Sequence, residues 1–160
     1  MRFSTALLAD LPECIPAVAD LRWREWGHPP EPVERSFWLD VTTREAGRSA
    51  LPVTFVCLDD SGEVVGAVGL DVHDLEERRE TSPWVIGTIV SPDRRGSGAG
   101  RLLMRHLEHW ATEHGFGELW VGTSGAAGFY RGCGWQPTED FVTSTGQRMF
   151  VLSKQIGPAS

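Results

Sequence analysis

The residues with the clearest chemical pattern are the glycines that follow a strongly β-like run. Positions 84–90 read Trp-Val-Ile-Gly-Thr-Ile-Val, and a glycine-rich stretch soon after them, 95–101, leads into a helical pattern. The first N–H groups of a helix have no intrahelical partner, and together with the helix dipole they attract anions. Glycines at 96, 98 and 100 let a phosphate approach the backbone, because no side chain stands in the way. The pattern therefore predicts a site for a phosphorylated ligand.

Two common phosphate-binding loops fit this stretch poorly. A Walker A loop ends in Gly-Lys-Ser/Thr, which this run does not contain. A dinucleotide-binding fingerprint has the spacing GxGxxG after an early strand, with an acidic residue about 20 positions further on. Here the spacing is GxGxG, and the strand before it is the fourth one predicted.

The spacing instead resembles the acyl-CoA signature of the GNAT superfamily of N-acetyltransferases, Arg/Gln-x-x-Gly-x-Gly/Ala. The chain has Arg95-Gly96-Ser97-Gly98-Ala99-Gly100, preceded by Val90-Ser91-Pro92. The resemblance runs from about residue 52 to residue 137. It implies that acetyl-CoA is the co-substrate, with its pyrophosphate on the backbone amides of the glycine turn and its pantetheine arm along the preceding strand. The residues that it assigns to these roles are Ile89, Val90, Arg95, Gly96, Ser97, Gly98, Ala99, Gly100 and Arg101.

A second stretch, 123–135, also resembles the superfamily, whose members often carry Asn-x-x-Ala-x-x-x-Tyr followed by Gly-Phe. Ala126 and Tyr130 match, Gly134-Trp135 takes the place of Gly-Phe, and Thr123 stands in the usual Asn position. The threonine is a departure that removes one expected contact to pantetheine. From this stretch the resemblance adds Thr123, Ala126 and Phe129 to the cofactor-binding residues.

The chemistry gives Tyr130, the only tyrosine of the chain, a specific role. When an amine attacks the thioester, CoA leaves as a thiolate, and a phenol within hydrogen-bond reach can protonate that sulfur. We therefore predict that Tyr130 is the general acid. The alternative is a tyrosine that is buried for packing, with its hydroxyl satisfied by the protein.

The amine side of the reaction is harder to assign from the sequence. A protonated amine must lose a proton before it attacks, but the predicted strand at 84–90 carries no carboxylate. His73 and Asp74, at the end of the strand before it, are the candidates for the base and for ammonium binding. Glu76 or Glu77, beside them, are further candidates for the same roles, and Glu25 and His28 are weaker ones. The candidate residues for the acceptor site are Trp26, Glu77 and Trp84. Each of these residues could equally be a solvated loop residue or a core residue.

Composition limits the other classes of function. The formal net charge of −7 over 160 residues argues against general nucleic-acid binding. The three cysteines show neither a CxxC spacing nor a His/Cys cluster, so we expect reduced, mostly buried thiols and no metal site. We see no signal peptide and no apolar stretch of roughly 20 residues, and we expect a cytoplasmic protein that does not bind membranes.

Hydrophobic periodicity predicts eleven elements in the order β, α, α, β, β, β, α, β, α, β, β. Asp10 is the expected N-cap of the first helix, and Pro32 is expected to open the second, which should run to about Ala46. The predicted ranges are strands 2–8, 52–58, 63–72, 84–90, 118–122, 135–142 and 147–154, and helices from Asp10 to about 26, 32–46, 98–114 and 125–132.

With the resemblance, these elements imply an α/β (α+β) fold of the GNAT type. Its sheet would be mixed and mostly antiparallel, with about seven strands, about four flanking helices, and a splay between the fourth and fifth strands. We expect one domain over residues 1–160. The predicted activity is direct acetyl transfer from acetyl-CoA to a primary amine of a small molecule. The alternatives are a protein or peptide N-terminal acetyltransferase and a non-catalytic acyl-CoA sensor. Because dimers are common in the family that the chain resembles, a homodimer is a further expectation.

Overall fold

The computed structural model describes residues 2–29 and 32–157, and these form seven strands and four helices in the predicted order. Short 3₁₀ turns occur at Leu8–Asp10, Pro12–Cys14 and Pro92–Arg94. The strands are β1 (Phe3–Leu7), β2 (Val53–Asp59), β3 (Val64–Asp71), β4 (Trp84–Val90), β5 (Glu118–Thr123), β6 (Gln136–Val142) and β7 (Arg148–Gln155). The helices are α1 (Ile15–Trp26), α2 (Arg35–Arg44), α3 (Ala99–Glu113) and α4 (Ala127–Gly132).

The strands form one mixed sheet in the order β1-β2-β3-β4-β5-β7-β6. The pairs β1–β2, β2–β3, β5–β7 and β6–β7 are antiparallel, whereas β4 and β5 are parallel. The β4–β5 ladder consists of only two residue pairs, Trp84 with Trp120 and Val85 with Val121. The predicted fold class, a mixed and mostly antiparallel sheet of seven strands with four helices, is confirmed, and the splay between the fourth and fifth strands stays a prediction.

The chain divides into two compact units. Unit 1 comprises residues up to Leu70 together with Gly87–Leu107, and unit 2 comprises Asp71–Ile86 and the residues from Glu108 onward. In unit 1 a core cluster is built from side chains of β2, β3, β4, α1 and the first 3₁₀ turn: Leu8, Val18, Val56, Ala67 and Ile89. In unit 2 the largest fully buried side chains are Trp84, Trp135, Leu119 and Leu152.

Two local predictions at the first helices are wrong. Asp10 does not cap α1, which begins at Ile15 without a side-chain cap; Asp10 instead pairs with Arg48. Pro16 lies in the first turn of α1, where a missing N–H costs no helical hydrogen bond. The second helix begins at Arg35 and not at Pro32.

The helices and the cysteines of the described part of the chain can be characterised further. None of its helices has the length and the apolar character required to cross a membrane. The three cysteines form no disulfide, but of the three only Cys57 is fully buried.

Candidate active site

The predicted phosphate turn lies in unit 1, between β4 and α3. Gly96 and Gly98 have φ values of 77° and 94°, in the left-handed region that side chains disfavour. A Cβ added at either glycine would have no atom within 4 Å, so the backbone of both residues is open to a ligand. The helix follows at once, since the amide of Leu102 donates to the carbonyl of Gly98 at 3.1 Å. The turn therefore presents exposed backbone at a helix N-terminus, the geometry that suits a pyrophosphate.

Hydrogen bonds hold the entrance of this turn. The amide of Ser91 donates to the carbonyl of Val65 at 2.8 Å, which ties the end of β4 to β3. The Ser91 hydroxyl donates to Asp93 at 2.6 Å, and this bond is the main reason why the pKa of Asp93 lies below its usual value. The Ser97 hydroxyl donates to the carbonyl of Arg94, which closes the turn on itself.

Asp59 braces the same turn from the β2–β3 hairpin. Its carboxylate accepts from the amide and the hydroxyl of Ser61, at 3.0 and 2.7 Å, and from the amide of Glu63 at 3.0 Å. These bonds, that of the Ser61 hydroxyl first, lower the pKa of Asp59, while burial opposes them. Arg94 reaches the second carboxylate oxygen at 3.4 Å. An ionised Asp59 thus holds the arginine that precedes the glycine turn.

Arg95, the arginine of the signature, is tied to its own strand and to α1. Its Nε donates to the carbonyl of Val90 at 3.2 Å, and its Nη2 lies 3.2 Å from a carboxylate oxygen of Glu25. Glu25, a weaker candidate for the base, is therefore paired with the signature arginine.

The second half of β4 combines a buried side chain with accessible backbone positions. Ile89 is 5% exposed and belongs to the core cluster of unit 1, so it has only its main chain to offer a ligand. Gly87, Thr88 and Val90 are only partly buried, although β4 is a central strand. These partly exposed residues belong to the strand along which the resemblance places the pantetheine arm, and that placement stays a prediction.

The residues of the second signature lie in unit 2, from the end of β5 through α4 to the start of β6. The Thr123 hydroxyl accepts from the amide of Ala126 at 2.9 Å and so fixes the start of α4. Phe129 lies at an edge-on angle to Tyr130, with 5.1 Å between ring centroids. Tyr130 is 3% exposed, and its ring also meets Trp135 edge-on at 5.7 Å. Edge-on contacts with these two rings thus hold the ring of Tyr130 in a buried position.

The candidate base residues lie in the same unit, on the segment between β3 and β4. His73 is partly buried, and its Nδ1 has no hydrogen-bond partner among the described residues; Asp74 is exposed. Leu75, next along the chain, packs on β5, where a Cβ at Gly122 would come within 2.8 Å of its Cδ1. Unit 2 thus brings the His73–Asp74 segment against the strand that ends at Thr123.

An ion pair at Arg78 also holds the segment between β3 and β4, and the sequence does not reveal this pair. Arg78 donates from Nε to Glu139 of β6 at 2.8 Å, and its guanidinium lies 4.3 Å from the ring centroid of Phe141. This pairing is the first cause of the lowered pKa of Glu139. The partners are 61 residues apart, so no local pattern could have indicated the contact. Glu77, beside Arg78, is exposed.

The two tryptophans suggested for the acceptor site have different surroundings. Trp26 is 38% exposed, with its ring centroid 5.5 Å from that of Trp38. Trp84 is fully buried, and its indole N–H donates to the carbonyl of Thr81 at 2.8 Å. Trp26 can face a ligand directly, whereas Trp84 supports the strand. Their roles in acceptor binding stay predictions.

The exposed backbone of unit 1 suits the oxygens of a phosphorylated ligand. Over residues 2–29 and 32–157, no group of three or more His, Cys, Asp and Glu side chains is placed to hold a metal ion. The open glycine backbone and the helix N-terminus suit phosphate oxygens, and the partly exposed end of β4 suits an amide-containing arm.

Comparison with known proteins supports the same interpretation. Residues 15–135 match the family described as Acetyltransferase (GNAT) family. The chain is 31% identical over 133 residues to an aminoglycoside N(6')-acetyltransferase type 1 from Stenotrophomonas maltophilia, covering 79% of this chain and 82% of that protein. It is 33% identical over 75 residues to streptothricin acetyltransferase from Streptomyces lavendulae, but this match covers 47% of the chain and only 38% of the relative.

The fold is shared with solved structures at much lower identity. An aminoglycoside 6'-N-acetyltransferase complexed with coenzyme A aligns over 100% of this chain and 99% of its own, with a TM-score of 0.79 and 16% identity.

Proposed function

The chain belongs to the acetyltransferase (GNAT) family, and on that premise we propose that it transfers an acetyl group from acetyl-CoA to a primary amine of a small molecule. The observation that carries the proposal is the turn after β4, where Gly96 and Gly98 expose their backbone at the start of α3. The names of the two relatives support the acceptor class, because one is a streptothricin acetyltransferase and the other an aminoglycoside N(6')-acetyltransferase.

The open backbone of the glycine turn in unit 1 supports the proposed binding roles. The backbone from Gly96 to Arg101 holds the pyrophosphate, and the main chain of Ile89 and Val90 holds the pantetheine arm. Acetyl-CoA, when bound, supplies the acetyl thioester. An amide near Val90 donates to the thioester carbonyl and stabilises the negative charge that develops on its oxygen.

The proposed chemistry is a direct attack. The amine nitrogen forms a bond to the acetyl carbon, and the bond from that carbon to sulfur breaks. The proton lost by the amine goes to His73 or Asp74, and Tyr130 donates its phenolic proton to the leaving sulfur. Water then restores the proton on Tyr130. Trp26, Glu77 and Trp84 stay proposed acceptor-site residues, and Thr123, Ala126 and Phe129 stay proposed neighbours of the cofactor.

The location and the working unit are proposals of the same kind. We propose the cytoplasm as the place of action and residues 1–160 as a single working domain, while a homodimer stays a prediction that sedimentation can test.

The experiment is thiol release from acetyl-CoA with a panel of amines: aminoglycosides, streptothricin, polyamines, amino acids and short peptides. We expect release with one class of small amines. Release with peptides alone would instead indicate an N-terminal acetyltransferase. Calorimetric binding of acetyl-CoA without release from any amine would indicate a sensor.

The matched variants are Tyr130→Phe and Thr138→Val, each of which removes one hydroxyl from unit 2. Thr138 donates to the carbonyl of Val151 in the β6–β7 ladder, and it has no proposed role in binding or catalysis. We expect turnover to fall in Tyr130→Phe and to persist in Thr138→Val. Equal turnover in the two variants would contradict the role proposed for Tyr130.

A further inference from the structure

A fully buried arginine lies beneath the middle of β4. Arg22, in α1, has no exposed surface. Its Nη1 donates to the Thr42 hydroxyl at 3.2 Å and to a carboxylate oxygen of Glu45 at 3.0 Å. Its Nε and Nη2 have no hydrogen-bond partner within the described residues. Buried polar groups are nearly always satisfied, so an arginine with one unsatisfied edge requires an explanation.

The unsatisfied edge is turned toward Gly87. A Cβ placed on Gly87 would lie 2.6 Å from Nη2, 3.0 Å from Cζ and 3.2 Å from Nε. The guanidinium therefore occupies the volume that a side chain at this position would fill. Gly87 has a φ of +57°, which interrupts the regular pleat of β4. A glycine inside a strand often marks a bulge or a place where another group approaches the backbone closely.

The position of this interruption connects it to the reaction. Gly87 immediately precedes Thr88–Val90, the part of β4 that is proposed to receive the pantetheine arm and the thioester. A change in the peptide direction at Gly87 alters where the following amides point. The fixed positive charge beneath the strand also favours negative charge that develops near it, and such charges act strongly in a water-excluded interior.

We propose that Arg22 is a positioning residue for acetyl transfer, which holds the positive-φ conformation of Gly87 and so directs the amides of Thr88–Val90 toward the thioester. The inference rests on the proposed function. Glu45 and Thr42 contribute to this positioning, because they accept hydrogen bonds from one edge of the guanidinium and leave its other edge facing β4.

The test compares Arg22→Met and Arg22→Lys with Arg48→Met. Arg48 also pairs with a carboxylate in unit 1, but its side chain is 64% exposed. In Arg22→Met we expect kcat at saturating acetyl-CoA to fall by about 10-fold to about 100-fold, the range expected for a misplaced reacting group. We expect affinity for CoA itself to change little. Arg22→Lys keeps the charge and should retain part of the rate, and Arg48→Met should match the wild type.

A purely structural role predicts a different result. In that case CoA affinity, thermal stability and kcat would fall together in Arg22→Met, and that outcome would overturn the proposal. An unchanged kcat in a folded Arg22→Met would also overturn it.

Gly87→Ala decides the question if Arg22→Met does not fold. Its new Cβ displaces the guanidinium while the charge is retained. Its strain control is Gly146→Ala, at a φ of +87° with no atom within 4 Å of the new Cβ. A kcat loss in Gly87→Ala but not in Gly146→Ala supports the proposal, and equal losses overturn it.

The readout also separates this inference from the function on which it rests. If the wild type releases no thiol with any amine, the proposed function fails, and Arg22 is then judged by the ratio of acetyl-CoA affinity to CoA affinity. We expect that ratio to fall in Arg22→Met, because directed amides hold the acetyl carbonyl that CoA does not have. An unchanged ratio overturns the inference alone.

Discussion

Replacing Gly98 by alanine tests the phosphate turn, because the substitution should affect protein stability and acetyl-CoA binding by different amounts. The φ of 94° puts the new side chain in the left-handed region, which costs roughly 1–2 kcal/mol for an L-residue. No steric clash adds to this cost, because nothing lies within 4 Å of the new Cβ. We therefore expect the free energy of unfolding to fall by about 1–2 kcal/mol.

Ligand binding should suffer more than stability. The added methyl group stands on open backbone that a phosphate is expected to approach, and a hydrogen bond to a charged group contributes roughly 1.5–3 kcal/mol. Losing one such bond corresponds to about a tenfold to hundredfold weaker Kd for acetyl-CoA. Calorimetric titration measures this, and urea unfolding measures the stability change.

The matched control is Gly146→Ala in the β6–β7 turn. Gly146 has a φ of 87° and the same empty surroundings, so it should show the stability loss without the loss of affinity. If Gly98→Ala binds acetyl-CoA as tightly as Gly146→Ala does, the assignment of the pyrophosphate to this turn is wrong.

Three further predictions use other groups. Three residues carry these predictions. Tyr130→Phe should lower kcat by about 10²-fold or more while the Kd for CoA stays the same, since a general acid acts in the transition state. Stopped assays measure kcat and calorimetry measures the Kd, and an unchanged kcat would contradict the role of Tyr130. The pKa of Asp59 is lowered in the folded protein, mainly by the Ser61 hydroxyl. Its contribution is therefore present above the unfolded pKa and is lost as pH falls through the folded pKa. Unfolding of Asp59→Asn should thus depend less on pH in acid than that of the wild type, and parallel pH curves would contradict this. Burial raises the pKa of the Cys57 thiol to about 11, so labelling with a thiol reagent near neutral pH should modify Cys57 only after unfolding; rapid labelling of native Cys57 would refute it.

The elements that periodicity and turn residues mark were predicted well. β4 was placed at its observed bounds, 84–90, because a run of β-branched residues ends at Ser-Pro. α3 was placed within one residue at each end, because its apolar residues recur on one face and Gly115 follows it.

The errors at α1 and α2 have a common physical cause. Asp10 and Pro32 carry strong local signals for a helix start, but local propensity is only a weak prior. The carboxylate of Asp10 forms an ion pair with Arg48, 38 residues away along the chain, and does not cap α1. Sequence reading therefore gives helix starts less reliably than helix faces.

The sequence reveals the motifs of the candidate site but not the residues that brace them. The glycine turn and Tyr130 were found because their spacing is local. Nothing in the local sequence Asp59-Asp60-Ser61-Gly62 indicates that Arg94, 35 residues further on, pairs with Asp59. Arg22 and its contact with Gly87 left no signal at all, because a lone arginine in a helix is usually a solvated residue.

The central claim is acetyl transfer to a small-molecule amine, and mass spectrometry of the amine after incubation with acetyl-CoA tests it most directly. The account predicts that at least one aminoglycoside or other small amine gains the mass of one acetyl group, in proportion to the thiol released. No acetylated product from any amine of the panel, with enzyme that binds acetyl-CoA, would contradict it.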